Sequence, residues 1–107
     1  MITAKSFPEV EEHIASDPMV FLYLSQPKCS VCQTLLPKVE NLLAQYPNIT
    51  FLYVNTADIP LAAGQLSVFS IPTVMLFADG KEFLKLVRTF GIQEIQYQID
   101  RIYEHFQ

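Results

Sequence analysis

From Met19 to Leu24 the chain is apolar at odd and even positions alike, the pattern of a strand covered on both faces of its sheet. Asp17-Pro18 and Ser25-Gln26-Pro27 bound it. From Val31 the apolar residues recur at Leu35, Val39, Leu42 and Tyr46, which is helical spacing and ends before Pro47-Asn48. A β-rich run follows over Ile49 to Val54, so residues 19 to 54 predict strand, helix, strand, the pattern of a right-handed parallel crossover. Upstream, Ser6 and Glu9 have the form of a capping box with Pro8 in the first turn, predicting a short helix over about 7 to 16. Downstream, Asp58 to Leu66 is a weaker helical stretch. Thr73 to Phe77 predicts a strand that turns at Asp79-Gly80 into Lys81 to Arg88 as a hairpin. After Gly91, the residues Ile92, Ile95, Ile99, Ile102 and Phe106 mark one face of a last helix. The expected class is α/β: a central mixed sheet of four or five strands with helices on both faces.

Composition narrows this to one unit. A chain of 107 residues with no repeat, linker or low-complexity stretch is expected to form a single domain over 1–107. Hydrophobic residues make up 50% and charged ones 17%, which excludes a disordered chain. A net charge of −4 leaves no basic footprint for a phosphate backbone, so nucleic acid is not an expected partner. The longest apolar runs, Met19 to Leu24 and Val74 to Ala78, are far below the roughly 18 residues of a membrane span. Near the N-terminus, Lys5, Glu9, Glu11, Glu12 and His13 stand where a secretory signal would be apolar, so the expected compartment is the cytoplasm.

The chemistry lies in Cys29-Ser30-Val31-Cys32, where a strand ends and a helix begins. Two cysteines three apart in a first helical turn stand close enough to cycle between dithiol and disulfide with little backbone movement. The helix N-terminus adds partial positive charge and free N–H donors beside Cys29, which favour its thiolate. Cys29 is then the candidate nucleophile, and Cys32, further along the helix, the candidate for resolving a mixed disulfide. Two other readings use the same spacing. Zinc would need two more ligands, with His13 and His105 the remaining soft candidates in separate helices. The pair could also be two ordinary core cysteines, although Pro27, Lys28 and Ser30 give it polar surroundings. Both histidines are otherwise expected to face solvent.

Taken with Pro37, Ile71-Pro72-Thr73, Asp79-Gly80 and Gly91, the Cys29 to Cys32 segment resembles the thioredoxin family over nearly the whole chain. The resemblance implies a thioredoxin fold, a cis bond between Ile71 and Pro72 facing the cysteine pair, and a bend of the long helix at Pro37. It also implies a thiol-disulfide oxidoreductase acting on protein disulfides as a monomer, with no metal or organic cofactor, and reset by an electron donor of the thioredoxin reductase type. Cys29 and Cys32 would be catalytic, and Lys28, Ile71 and Pro72 would meet the substrate. The chain departs from the family pattern Trp-Cys-Gly-Pro-Cys at three of its five positions, having Lys28 before the pair and Ser30-Val31 within it. The position that family members fill with a buried acid matches Tyr23, and the one they fill with lysine on the adjacent strand matches Tyr53. A proton acceptor for Cys32 is therefore expected to be missing from its usual place. That departure keeps two alternatives open: a binding module with slow or vestigial cysteines, and a redox sensor.

Overall fold

Every residue of β2 (Met19–Ser25) is buried, because the strand lies in the middle of a five-stranded sheet with helices on both faces. The computed structural model describes residues 1–105. On β2, Met19, Phe21 and Tyr23 join one apolar cluster while Val20, Leu22 and Leu24 join another. The alternation of side chains along a strand thus divides one uninterrupted apolar run between two cores. The first cluster is closed by Val39, Leu42 and Leu43 of α2 (Ser30–Leu43) and by Ile95 and Ile99 of α4 (Ile92–Tyr103). The second is closed by Phe7 and Val10 of α1 (Phe7–Ser16) and by Ala62 of α3 (Pro60–Gln65).

β2 pairs in parallel with β3 (Ile49–Asn55) on one side and antiparallel with β4 (Thr73–Ala78) on the other, so the sheet is mixed, as the sequence predicts. β5 (Lys81–Val87) completes the hairpin. Its two-residue turn has positive φ at both Asp79 and Gly80, the conformation an Asp-Gly dipeptide favours between twisted strands. The sheet order is β1-β3-β2-β4-β5. The outer strand β1 (Ile2–Thr3) has no counterpart among the elements the sequence predicts. It pairs in parallel with Leu52 and Tyr53, and two exposed residues carry no periodicity to detect.

Several boundaries also differ from expectation. The helix over α2 begins at Ser30 and ends at Leu43, short of Tyr46, which folds back in a turn through its N–H to the Leu43 carbonyl and remains buried in the same core. That turn imitates one more helical repeat in the sequence. Pro37 lies inside α2 and has no N–H to give the Gln33 carbonyl. α3 starts at Pro60, whose ring suits a first helical position, and not at Asp58. β5 stops at Val87 and leaves Arg88 outside the strand. Along α4, Ile95 and Ile99 are buried, and Ile92 and Ile102 are partly buried against the same core. Phe106, expected on that face, lies outside the described residues.

Candidate redox site

The β2–α2 junction sets the position of Cys29. Past Ser25, the Gln26 carbonyl accepts from the Cys29 N–H at 3.1 Å and from the Gln33 side-chain amide at 3.1 Å, so the loop is fastened to the helix it introduces. Thr56 secures the same loop, donating its N–H to the Ser25 carbonyl at 2.9 Å and accepting from the Gln26 amide at 2.9 Å. Cys29 is therefore the N-cap of α2, one position before the first turn that the sequence predicts for it. Its sulfur accepts from the Cys32 N–H at 3.2 Å, satisfying one of the donors a helix start leaves open.

Cys29 and Cys32 are joined by a disulfide with their Cα atoms 5.2 Å apart, within the range such bonds require. Their surroundings are unequal: Cys32, in the first turn of α2, is fully buried, whereas Cys29 is partly open and lines a groove of about 620 Å³. Lys28, Ser30 and Val31 border that groove beside Cys29; Ile71, Pro72 and the segment Arg88 to Phe90 form its other walls. The Ile71-Pro72 bond is cis, as the family resemblance implies, and Pro72 is buried with its carbonyl accepting from the Arg88 N–H at 2.8 Å. All five residues singled out from the sequence, Lys28, Cys29, Cys32, Ile71 and Pro72, thus converge, four on the groove and Cys32 behind it.

The histidines stand elsewhere. His13 bonds Asp17 at the end of α1, and His105 follows α4 in a turn. Among the described residues, no three His, Cys, Asp or Glu side chains gather as metal ligands would.

Tyr23 is wholly buried and donates its hydroxyl to the Cys32 carbonyl at 2.7 Å. Burial pushes its ionisation far above the usual phenol range, and neighbouring Tyr53 adds to the rise. The Tyr53 ring stacks on it at 6.2 Å across β2 and β3, and its hydroxyl donates to Ser25 at 3.2 Å. Among the described residues, no carboxylate hydrogen-bonds either cysteine. The two aromatic departures from the family pattern therefore form one stacked unit under the disulfide.

Sequence reasoning missed Ser25, Gln26 and the Arg88 to Phe90 wall. For Arg88 the hairpin register that the sequence implies points one residue away. Counting back from the Asp79-Gly80 turn puts Leu86 opposite Thr73, but the register slips by one residue between Leu76 and Phe77. That slip brings Val87 opposite Thr73 and Arg88 alongside Pro72.

Known proteins share this arrangement of sequence and fold. The family model described as Thioredoxin matches residues 1–101. The thioredoxin-like protein YdfQ of Bacillus subtilis (strain 168) is 34% identical over 102 residues, covering 95% of this chain and 91% of that protein. The thioredoxin of Chlamydia trachomatis serovar D is 34% identical over 105 residues, covering 98% and 99%. The crystal structure of thioredoxin from Trypanosoma brucei brucei has the same fold, with a TM-score of 0.87 at 15% identity over 97% of this chain and 91% of that one. A whole-length match in sequence, carried by a fold that puts a paired Cys29 and Cys32 at the start of α2, means that the chain belongs to the thioredoxin family.

Proposed function

We propose that this protein is a cytoplasmic, monomeric thiol-disulfide oxidoreductase that reduces protein disulfides through Cys29 and Cys32, with the catalytic unit spanning 1–107. The observation that carries this reading is the unequal access of the two sulfurs: Cys29 opens on the groove and Cys32 is closed behind it. In the reduced protein the Cys29 thiolate, favoured by the start of α2, attacks one sulfur of a substrate disulfide. The substrate S–S bond breaks, a Cys29-substrate disulfide forms, and the departing substrate sulfur takes up a proton. Cys32 then loses its proton and attacks the Cys29 sulfur, releasing the second substrate sulfur as a thiol and leaving the Cys29–Cys32 disulfide. Two electrons pass from the pair to the substrate, so each turnover requires a dithiol or flavoprotein donor of the thioredoxin reductase type to restore the pair. Neither a metal nor an organic cofactor takes part within this chain.

The groove supports an extended substrate. Ile71 lines the groove with Cys29, and its N–H and C=O, which form no hydrogen bond with another described residue, suit an incoming strand. Lys28 and Pro72 line the same groove.

The buried Tyr23 favours a second reading, in which resolution is slow and the protein acts as a redox sensor or a binding module. Incubation with a disulfide-bonded test protein separates these. Cys32→Ser is expected to accumulate a covalent complex and Cys29→Ser none, while the native protein supplied with dithiothreitol completes many turnovers. Equal trapping by both variants would overturn the division of roles between the two sulfurs, and a single turnover would favour the sensor or module.

A further inference from the structure

We infer that the groove selects acidic protein segments, in which the substrate disulfide is flanked by aspartate or glutamate; this rests on the reductase reading and names its substrate class. The chain as a whole is acidic, with eleven carboxylate side chains against seven lysines and arginines. The groove inverts that balance. Lys28 and Arg88 line it beside Cys29, and Arg88 with Lys38 lines the adjoining hollow over Ser30 and Val31, whereas no Asp or Glu lines either. Of the seven cations, two therefore share the groove with the reactive sulfur and a third stands in the adjoining hollow, on linings that hold none of the eleven acids. Nothing within the described chain neutralises them, since the only ion pair among the described residues joins His13 and Asp17 at the end of α1.

Arg88 is held there by unusual backbone. Its φ is 61°, in the left-handed region that a side chain disfavours. The Thr89 N–H donates to the Val87 carbonyl at 2.7 Å across it, closing a tight γ-turn, while its own N–H is bound to the Pro72 carbonyl. A strained residue in a groove wall points to a use for its side chain. Exposed Val31 and half-buried Phe90 line both the groove and the hollow, giving apolar surface on which the substrate backbone can rest while its carboxylates reach Lys28, Lys38 and Arg88. Positive charge gathered on a recognition surface acts mainly on the rate of encounter and on the choice of partner.

The test compares two cystine peptides of equal length, one with glutamate and one with lysine on both sides of the disulfide, through the rate at which each forms a mixed disulfide with Cys32→Ser. At low salt the acidic peptide is expected to react about tenfold faster. The advantage should shrink at about 1 M salt, where the Debye length falls to about 3 Å. Replacing Arg88 and Lys38 together by glutamate should reverse the order. Arg88→Gly suits the backbone and should lower the ratio with no demand on folding. Lys81→Glu, at the opposite end of β5, changes net charge in the same direction and should leave the ratio as it was. Equal rates for the two peptides, or a preference that survives high salt, overturns the inference. Binding is followed separately by NMR titration of a Cys29→Ser/Cys32→Ser protein with the acidic peptide. Salt-sensitive shifts at the groove without turnover by the native protein would uphold the acidic specificity and remove the reductase reading, and the converse outcome would do the opposite.

Discussion

Tyr23 shows how one side chain can alter the chemistry of a site it does not line. Its phenol is sealed under α2 and hydrogen-bonded to the Cys32 carbonyl, and burial together with Tyr53 keeps it neutral well beyond ordinary pH. A neutral phenol cannot take the Cys32 proton as a carboxylate would. Resolution of the mixed disulfide is therefore expected to be slow near neutrality and to quicken between about pH 6 and pH 9 as the thiol ionises unaided. Tyr23→Asp should speed release and flatten that profile. The isolated buried charge is expected to lower stability by several kcal/mol, which thermal melting checks first. Stopped-flow resolution rates that do not vary with pH in the native protein would sink this account. The identity of residue 23 was legible by counting from the cysteines, but its bond to the Cys32 carbonyl was not, because the bond depends on how α2 lies across β2.

The ends of α1 illustrate the same division among elements. The Ser6 cap is where the sequence predicts it, with the side chain accepting from the Glu9 N–H at 3.3 Å. The return bond goes elsewhere: the Glu9 carboxylate accepts from the Lys5 N–H at 2.8 Å and not from Ser6. At the other end, Asp17 pairs with His13 at 2.8 Å and accepts from Thr50 of β3 at 2.9 Å, fastening the helix to the sheet. The His13 bond holds the Asp17 carboxyl below the usual carboxylate range, with burial partly opposing it and the bonds from Thr50 and Ser16 assisting. A depressed carboxyl contributes stability that is fully present above its unfolded-state value near 4 and is lost as pH falls through the folded-state value. Asp17→Asn should therefore cost about 0.5–1.5 kcal/mol at pH 7 in urea unfolding. That difference should shrink below about pH 4; a difference independent of pH would mean that the charge contributes nothing.

For the molecule as a whole, the core under α2 and α4 is joined by polar bonds as well as apolar contact. Tyr46, just past α2, bonds Asp100 of α4 at 2.5 Å and meets the Tyr103 ring edge-on at 5.0 Å. Its phenol is pushed up to about 12, first by burial and then by the Asp100 bond. A group raised in the folded state contributes stability that is complete below its unfolded-state value near 10 and disappears as pH rises through about 12. Alkaline unfolding should therefore begin above about pH 10, with Tyr23 adding to it in the same direction. Tyr46→Phe should lose about 0.5–1.5 kcal/mol at neutral pH but fall less steeply in alkali. Circular dichroism against pH for the two proteins checks this, and identical alkaline slopes would refute it.

By itself the chain determined what local chemistry and periodicity can encode. The unbroken apolar run of β2, the isoleucine stripe of α4, the Asp-Gly turn and the cysteine spacing are all local in the chain; the first three are found where the sequence predicts them, and the cysteines pair with Cys29 one position earlier, at the N-cap. Tertiary structure decided everything that depends on two distant segments meeting. The edge strand β1 exists because β3 offers it a free side. Tyr46 leaves its helix because a turn can bury it against α4. Arg88 reaches the cysteines because a single register slip in the hairpin carries it past the end of β5 to Pro72. A pattern of side chains states which faces must be buried, but a sheet's register and a helix's crossing determine which of those faces come together, and the charge around this sulfur pair is set at that level.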